Sequence, residues 1–161
     1  MNNAIDLFKK LEDEAKQSGY FLNPDKDFVL GLCEGLLTNL KRFGYQSCPC
    51  RLAEGIKEKD IDIICPCDYR DSDIEKYGAC YCGLYVSKEV ALKKKPLSPI
   101  PESRPPLEKR QQRQQISVKN TTSKIPVWRC RVCGYLCARE NPPSICPICK
   151  AEKDRFETFM L

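Results

Sequence analysis

The sequence contains no histidine, and this absence restricts its chemistry. Zinc sites that mix cysteine with histidine are excluded, and so is catalysis by Cys–His or Ser–His pairs. Twelve of the 161 residues are nevertheless cysteine. The remaining possibilities are all-thiolate metal sites and thiol–disulfide exchange.

A long apolar run is also missing. No N-terminal stretch pairs a basic start with an apolar segment, so we expect neither a signal peptide nor a membrane span. We therefore expect a cytoplasmic protein. In that reducing compartment, clustered cysteines are metal ligands or redox catalysts, whereas in a small secreted protein they would form a disulfide framework.

The net charge of +5 is distributed unevenly along the chain. Residues 1–92 carry twelve basic and sixteen acidic side chains, whereas residues 93–125 carry nine basic and two acidic ones. The second segment also contains five prolines and four glutamines and has few large apolar residues, a composition typical of a flexible linker. Such a linker would span roughly 30 Å. We predict that it joins two domains, residues 1–92 and 126–161.

Apolar spacing predicts two helices near the N-terminus. The first covers residues 4–18 and ends at Gly19. The second begins with Asn23 as its N-cap and Pro24 at the first helical position, and it ends at Gly44. We predict shorter helical turns within 52–59 and 72–77, and a last helix from Ser87 to Lys95.

The C-terminal segment contains two C-x-x-C turns, Cys130 with Cys133 and Cys146 with Cys149. Each turn directs two sulfurs at one metal, so together they form a tetrahedral four-sulfur site that suits either iron or zinc. Cys137 lies outside this pattern, and we interpret it as a structural thiol.

The run from Trp128 to Phe159, with CRVCGYL, NPPSICPIC and KDRFETF, resembles the rubredoxin-like domain at the end of rubrerythrins. That resemblance implies a small β-rich domain whose four cysteines hold one iron that changes between its ferrous and ferric states. Zinc in its place remains open.

Residues 48–82 contain three C-x-C pairs, namely Cys48 with Cys50, Cys65 with Cys67, and Cys80 with Cys82. Six thiols exceed the four that zinc ordinarily takes. They suit a four-cysteine iron–sulfur cluster together with one redox-active dithiol. Cys33, within the second predicted helix, is interpreted as a small buried hydrophobic residue.

The motifs CPCR, CPC and CYC, in this order, resemble those of the catalytic subunit of ferredoxin–thioredoxin reductase. The resemblance covers roughly residues 1–92 and implies a compact, mostly helical domain. It further implies that a [4Fe-4S] cluster is held by four cysteines, Cys48, Cys65, Cys67 and Cys80. Cys50 and Cys82 would then form the active disulfide, with Cys50 as the nucleophile. One departure is Tyr81, which stands where the family has histidine.

These patterns lead us to expect a disulfide reductase that takes single electrons from ferredoxin or a similar small donor and reduces a thioredoxin-like protein. The iron of the C-terminal domain would relay electrons. One alternative is a zinc-ribbon module that binds nucleic acid through the basic linker, although it leaves two N-terminal thiols without a role. Another is a simple iron–sulfur electron carrier. Arg51 either lowers the pKa of the neighbouring Cys50 thiol or is an ordinary solvated side chain.

Overall fold

A computed structural model describes residues 3–107, 109–110 and 125–159 of the chain. It contains a mostly helical N-terminal region and a small strand-rich C-terminal region, which confirms the predicted class of fold. The helices are α1 Ala4–Ser18, α2 Lys26–Phe43, α3 Lys57–Asp60, α4 Arg70–Tyr77 and α5 Lys88–Ala91. The strands are β1 Phe21–Leu22, β2 Tyr85–Val86, β3 Val127–Cys130, β4 Leu136–Ala138 and β5 Phe156–Thr158.

Helices α1 and α2 pack together and form most of the N-terminal core. The apolar stripe of α1 lies against that of α2, with Leu7, Leu11, Ala15, Val29 and Leu36 all buried. Gly19 ends α1 in the left-handed conformation at φ 76°, where the lack of a side chain removes the steric penalty. The predicted helix over residues 4–18 is confirmed.

The predicted start of the second helix is wrong by two residues. Asp25, rather than Asn23, is the N-cap, because its carboxylate accepts the backbone N–H of Phe28 at 3.0 Å. The side-chain amide of Asn23 instead donates to the Gly83 carbonyl at 3.0 Å, sixty residues away. A tertiary hydrogen bond therefore uses the side chain that local sequence assigned to capping.

Two short helices also differ from the predicted bounds. The helical turn predicted within 52–59 begins only at Lys57 and continues into a 3-10 turn over Ile61–Ile63. Ser87 caps α5 as predicted, but this helix ends at Ala91 instead of Lys95. The chain turns at Lys93, whose left-handed φ of 56° is incompatible with helix continuation.

The C-terminal domain is a three-stranded antiparallel sheet with β3 in the centre, between β4 and β5. Trp128 lies opposite Cys137 on one side and Thr158 on the other. The small core consists of cysteine sulfurs and a few apolar side chains, Cys130, Val132, Cys146, Cys149, Ala151 and Phe156.

The predicted linker begins at residue 93, and its residues 111–124 lie outside the described part of the chain. Residues 102–104 contact the N-terminal domain through side chains. Ser103 donates to the Asp73 carboxylate at 3.2 Å, and Arg104 donates to Asp62 from Nε and Nη2, each at 2.9 Å. These contacts were not foreseen from the composition of the segment.

Within the described residues, no helix is both long enough and apolar enough to cross a bilayer.

Candidate functional site

Five of the six cysteines in the N-terminal C-x-C pairs line one cavity, namely Cys48, Cys65, Cys67, Cys80 and Cys82. Most of the remaining lining is apolar and comes from α2 and from the segment before β2, through Leu32, Leu36 and Leu84. The three motifs, which span 35 residues of sequence, therefore converge on one point. This includes all four residues that the resemblance assigns to a cluster.

The sulfurs that line this cavity have different local environments. Cys80 Sγ accepts the backbone N–H of Tyr85 at 3.3 Å and lies 3.6 Å from Cys82 Sγ. Hydrogen bonding to Cys82, helped by backbone N–H groups, lowers the pKa of Cys80. Burial raises the pKa of Cys65 and raises that of Cys67 to about 12. Thiolates at these buried positions need a compensating positive charge, which a bound metal supplies.

Cys50 is the exposed member of its motif, while Cys82 is half-buried. A hydrogen bond with Cys82, together with the charge of Arg51, lowers the pKa of Cys50 to about 7 despite partial burial. Hydrogen bonds with Cys48, Cys50 and Cys80 raise the pKa of Cys82. The pair is thus asymmetric, because Cys50 is the more accessible thiol and the one that loses its proton more readily.

The loop that carries Cys48 and Cys50 packs directly on α2. Pro49 lies so close to Gly35 that a Cβ atom at Gly35 would come within 2.7 Å of Pro49 Cβ. Two real carbon atoms do not approach so closely, so only glycine fits at this point of the helix. Gly35 thereby sets how near the cysteine loop can approach the helix.

Arg51 is buried, so its interpretation as a solvated side chain is wrong. Its guanidinium lies between two aromatic rings, 4.4 Å from the Tyr69 ring centroid and 4.6 Å from that of Tyr81. It is ion-paired with Asp73 at 3.3 Å and with Glu102 at 2.8 Å. A cation is thus held rigidly beside Cys50 by stacking and by charge.

Tyr81 stabilises the Arg51 guanidinium through a cation–π contact. Its ring faces Arg51, and the residue is not part of the described lining of the cysteine cavity. A histidine at this position would add a second positive charge near Arg51 whenever it is protonated. The aromatic ring of Tyr81 avoids that repulsion.

Arg70 brings a further buried cation to the wall of the cysteine cavity. Its Nε donates to Asp71 at 2.7 Å, and its guanidinium lies 3.6 Å from the Tyr20 ring centroid. Among the described residues, none accepts a hydrogen bond from its Nη2. A buried donor left without a partner costs free energy, and an anionic iron–sulfur cluster in this cavity would satisfy it.

Together, these features fit an iron–sulfur group. The cavity offers cysteine sulfurs, a backbone N–H aimed at one of them, and a buried guanidinium for negative charge. Proteins adjust the reduction potential of such clusters through hydrogen bonds to the sulfurs and through nearby charges.

The C-terminal site is formed by Cys130, Cys133, Cys146 and Cys149, whose sulfurs all lie within 4.8 Å of one another. The Cys130–Cys149 and Cys133–Cys146 sulfur distances are both 3.6 Å. With a metal–sulfur bond of about 2.3 Å, a tetrahedral ion holds its sulfurs about 3.8 Å apart. The four sulfurs therefore fit a single iron or zinc ion.

The two C-x-x-C turns have the same backbone geometry. Cys130 N–H donates to the Tyr135 carbonyl and Cys146 N–H to the Ala151 carbonyl, both at 2.8 Å. Each turn is followed by a residue in the left-handed conformation, Gly134 at φ 76° and Lys150 at φ 62°. This conformation is unusual for lysine, so the second turn carries backbone strain that the first avoids.

The two other cysteines lie apart from these sites. Cys33 is fully buried in the helical core, and burial raises its pKa to about 11, which confirms its interpretation as a hydrophobic residue. Cys137 is half-buried on β4 and lies opposite Trp128 of β3. It is not one of the four cysteines of the C-terminal site in the described part of the chain.

Three functional features were missed from sequence. The spacing of Gly35 from Pro49, the burial of Arg51 and the unpaired nitrogen of Arg70 are all tertiary contacts. The one local signal was the position of Arg51 directly after Cys50.

Comparison with known families agrees with this geometry. The family described as the ferredoxin thioredoxin reductase catalytic beta chain matches residues 2–124, which include the N-terminal domain and the basic segment after it. The family described as the rubrerythrin, rubredoxin-like domain matches residues 128–157. No curated protein matches the chain.

Proposed function

The chain belongs to the family of ferredoxin thioredoxin reductase catalytic beta chains, and on that premise we propose that it reduces protein disulfides with electrons delivered one at a time. Membership places it among iron–sulfur oxidoreductases, and its cysteine sites are of the kind that bind iron or zinc. The specific reaction, its residues and its partners are our proposal.

One observation carries the proposal. Cys50 is exposed and close enough to Cys82 for that thiol to lower its pKa, and Cys82 itself lines a cavity with four further cysteines. An electron carrier needs no accessible dithiol beside its metal ligands. A disulfide reductase does, because one thiol must reach a partner protein while the other stays close to the source of electrons.

Cys48, Cys65, Cys67 and Cys80 would hold a [4Fe-4S] cluster. The cluster, when bound, supplies single electrons beside the disulfide, so that a two-electron cleavage can follow two one-electron deliveries. Tyr85 orients one of these ligands through its N–H bond to Cys80.

The protein's own thiols perform the exchange. Cys50, as thiolate, attacks one sulfur of the target disulfide and forms a mixed disulfide, and the released target thiolate takes up a proton. Cys82 then loses its proton and attacks the Cys50 sulfur. This second step forms the Cys50–Cys82 disulfide and releases the target as a dithiol. Two electrons and two protons return the Cys50–Cys82 pair to its thiols for the next cycle.

Arg51 would assist the first step. Its positive charge, held between Tyr69 and Tyr81, favours the anionic form of the adjacent thiol. Because Asp73 and Glu102 also pair with it, the guanidinium stays in place while its net field on Cys50 is moderated.

We propose ferredoxin or another small one-electron carrier as the donor, and a thioredoxin-like protein as the target, in the cytoplasm. The C-terminal site would relay electrons toward the cysteine cavity, which requires iron there because zinc does not change its oxidation state.

The first experiment is metal and sulfide analysis of anaerobically purified protein, with its absorption spectrum. We expect about five iron and four sulfide per chain, a broad cluster band and separate ferric-thiolate features. Zinc alone, with no sulfide even after anaerobic reconstitution, would refute the reductase and favour the zinc-ribbon alternative.

The second experiment tests the thiol assignment. Donor-driven reduction of a thioredoxin disulfide is measured for Cys50→Ser, with Cys137→Ser as the matched control because Cys137 lies outside both sites. We expect loss of turnover in Cys50→Ser and full turnover in the control. Full turnover in Cys50→Ser would refute the assignment of Cys50 as the nucleophile.

A further inference from the structure

The two domains meet through a buried arginine. Arg155, in the 3-10 turn before β5, is only 2% exposed, although it belongs to the smaller domain. Its Nη1 donates to the Ile64 carbonyl at 2.8 Å, and its Nε donates to the Asp68 carboxylate at 3.0 Å. Arg155 therefore donates these hydrogen bonds to residues of the N-terminal domain.

The position of these two acceptors is informative. Ile64 and Asp68 directly flank the Cys65-Pro66-Cys67 motif, which carries two of the cysteines that line the N-terminal cavity. One guanidinium thus bridges both ends of this loop. Arg131 lies 3.6 Å from the same Asp68 carboxylate and adds a second cation from the C-terminal domain.

The contact also brings the two cysteine sites to one cleft. A cleft of about 260 Å³ is lined by Cys65 of the N-terminal cavity and Cys149 of the C-terminal site, together with Arg70 and Arg155. Tyr20 lines the same cleft and packs against the cores of both domains. Its ring stacks on Arg70, which also lines the N-terminal cysteine cavity.

We propose that Arg155 is the positioning residue that couples the two sites, so that the electron relay of the proposed function runs from the C-terminal domain to the cysteine cavity of the same chain. The inference rests on the proposed function. In each transfer one electron leaves the C-terminal four-cysteine site and one is gained at the N-terminal cavity. The reductant is a one-electron carrier protein, and two transfers with two protons convert one disulfide into two thiols.

The geometry favours Arg155 over other charged contacts between the domains. Lys57 and Asp154 also form an ion pair across the boundary, at 3.3 Å, but both side chains are partly exposed. Exposed pairs contribute little because water screens them. Nε and Nη2 of Arg155 donate to one Asp68 oxygen and Nη1 donates to the Ile64 carbonyl, so the buried guanidinium holds a fixed orientation. Removing it leaves the acceptors around the motif without their donor.

The test compares Arg155→Gln with wild type, and Arg129→Gln serves as the matched control. Arg129 lies in the same small domain and pairs with Glu157 on a neighbouring strand, about half exposed and away from the cleft. Metal and sulfide content is measured first for all three proteins, anaerobically. Hydrogen exchange of the amides of residues 64–68 is then followed, and this readout does not depend on turnover.

We expect unchanged metal content in both variants. In Arg155→Gln, amide exchange over residues 64–68 rises at least about tenfold, because the loop loses its buried donor. After the C-terminal site is reduced, absorbance monitors how fast the N-terminal site becomes reduced. This rate falls by about tenfold or more, because the two sites no longer keep a fixed relative position. Arg129→Gln changes neither readout.

If Arg155→Gln contains both metal groups and matches wild type in exchange and in transfer rate, the inference is refuted while the proposed function stands. If instead even wild type contains no cluster or reduces no disulfide, the proposed function itself fails. The two failures are therefore distinguishable.

A mixing experiment separates transfer within a chain from transfer between chains. The Arg155→Gln chain, which keeps Cys50, is mixed with the Cys50→Ser chain, which keeps Arg155. Transfer between chains would let the second chain supply the first and would restore disulfide reduction. We expect no recovery, and recovery to wild-type rates would overturn the proposal.

Discussion

Replacing Gly35 by alanine tests the geometry of the cysteine loop directly. The added Cβ would lie 2.7 Å from Pro49 Cβ and 3.3 Å from Pro49 Cγ, whereas carbon atoms in contact are about 3.5–4.0 Å apart. Either α2 or the loop must shift by about 1 Å to relieve the contact. Because Pro49 lies between Cys48 and Cys50, we expect this shift to move the reactive thiol.

Gly31 provides the matched control. It lies one turn earlier in α2, and within the described part of the chain nothing comes within 4 Å of a Cβ placed there. Gly31→Ala therefore reports helix propensity alone, which raises the free energy of unfolding by about 1 kcal/mol. Gly35→Ala has the same gain but adds an overpacking cost of about 1–3 kcal/mol.

The assay is thermal unfolding of the metal-loaded proteins, followed by far-ultraviolet circular dichroism at one heating rate. The expected difference between the variants, about 1–3 kcal/mol, corresponds to a midpoint for Gly35→Ala lower by about 2–12 °C. Cys50 alkylation at pH 7 should also slow in Gly35→Ala, because a displaced thiol moves away from Cys82, the neighbour that lowers its pKa. Equal midpoints and equal alkylation rates in the two variants would refute this reading of the contact.

Two further predictions concern the reactive thiol and its neighbouring cation. The alkylation rate of Cys50 in the reduced protein should rise with pH, with a midpoint near 7, because the thiolate forms above its lowered pKa. Cys82→Ala should move that midpoint upward. An unmoved midpoint would contradict the interaction with Cys82 as the main cause of the lowered pKa. Arg51→Met should lower the free energy of unfolding by about 3–5 kcal/mol because it leaves Asp73 buried without its cation. The double variant Arg51→Met with Asp73→Leu should recover most of that loss in urea unfolding, and no recovery would contradict the pairing.

Local patterns in the sequence were sufficient for α1, for the end of α2 and for the cysteine groups. Helix α1 follows from its apolar spacing and from Gly19, both of which act within a few residues. The four-sulfur C-terminal site follows from its two C-x-x-C turns, because each turn places two sulfurs together without help from the rest of the fold. The resemblance that these motifs carry also indicated the family.

The contacts between these helices and cysteine groups depend on the tertiary structure. The Asn23 side chain donates to the Gly83 carbonyl instead of capping α2. Arg51 is buried beside the rings of Tyr69 and Tyr81, and Arg155 donates to the Ile64 carbonyl of the N-terminal domain. Each of these contacts joins residues that are far apart in the chain or buries a charge that composition would place in water. Apolar spacing reports which face of an element is buried, but it does not report which distant partner a polar side chain meets. For this protein, the sequence therefore determined the chemistry that is available, and the tertiary structure determined which cysteine is accessible, which cations stand beside it and where the two metal sites meet.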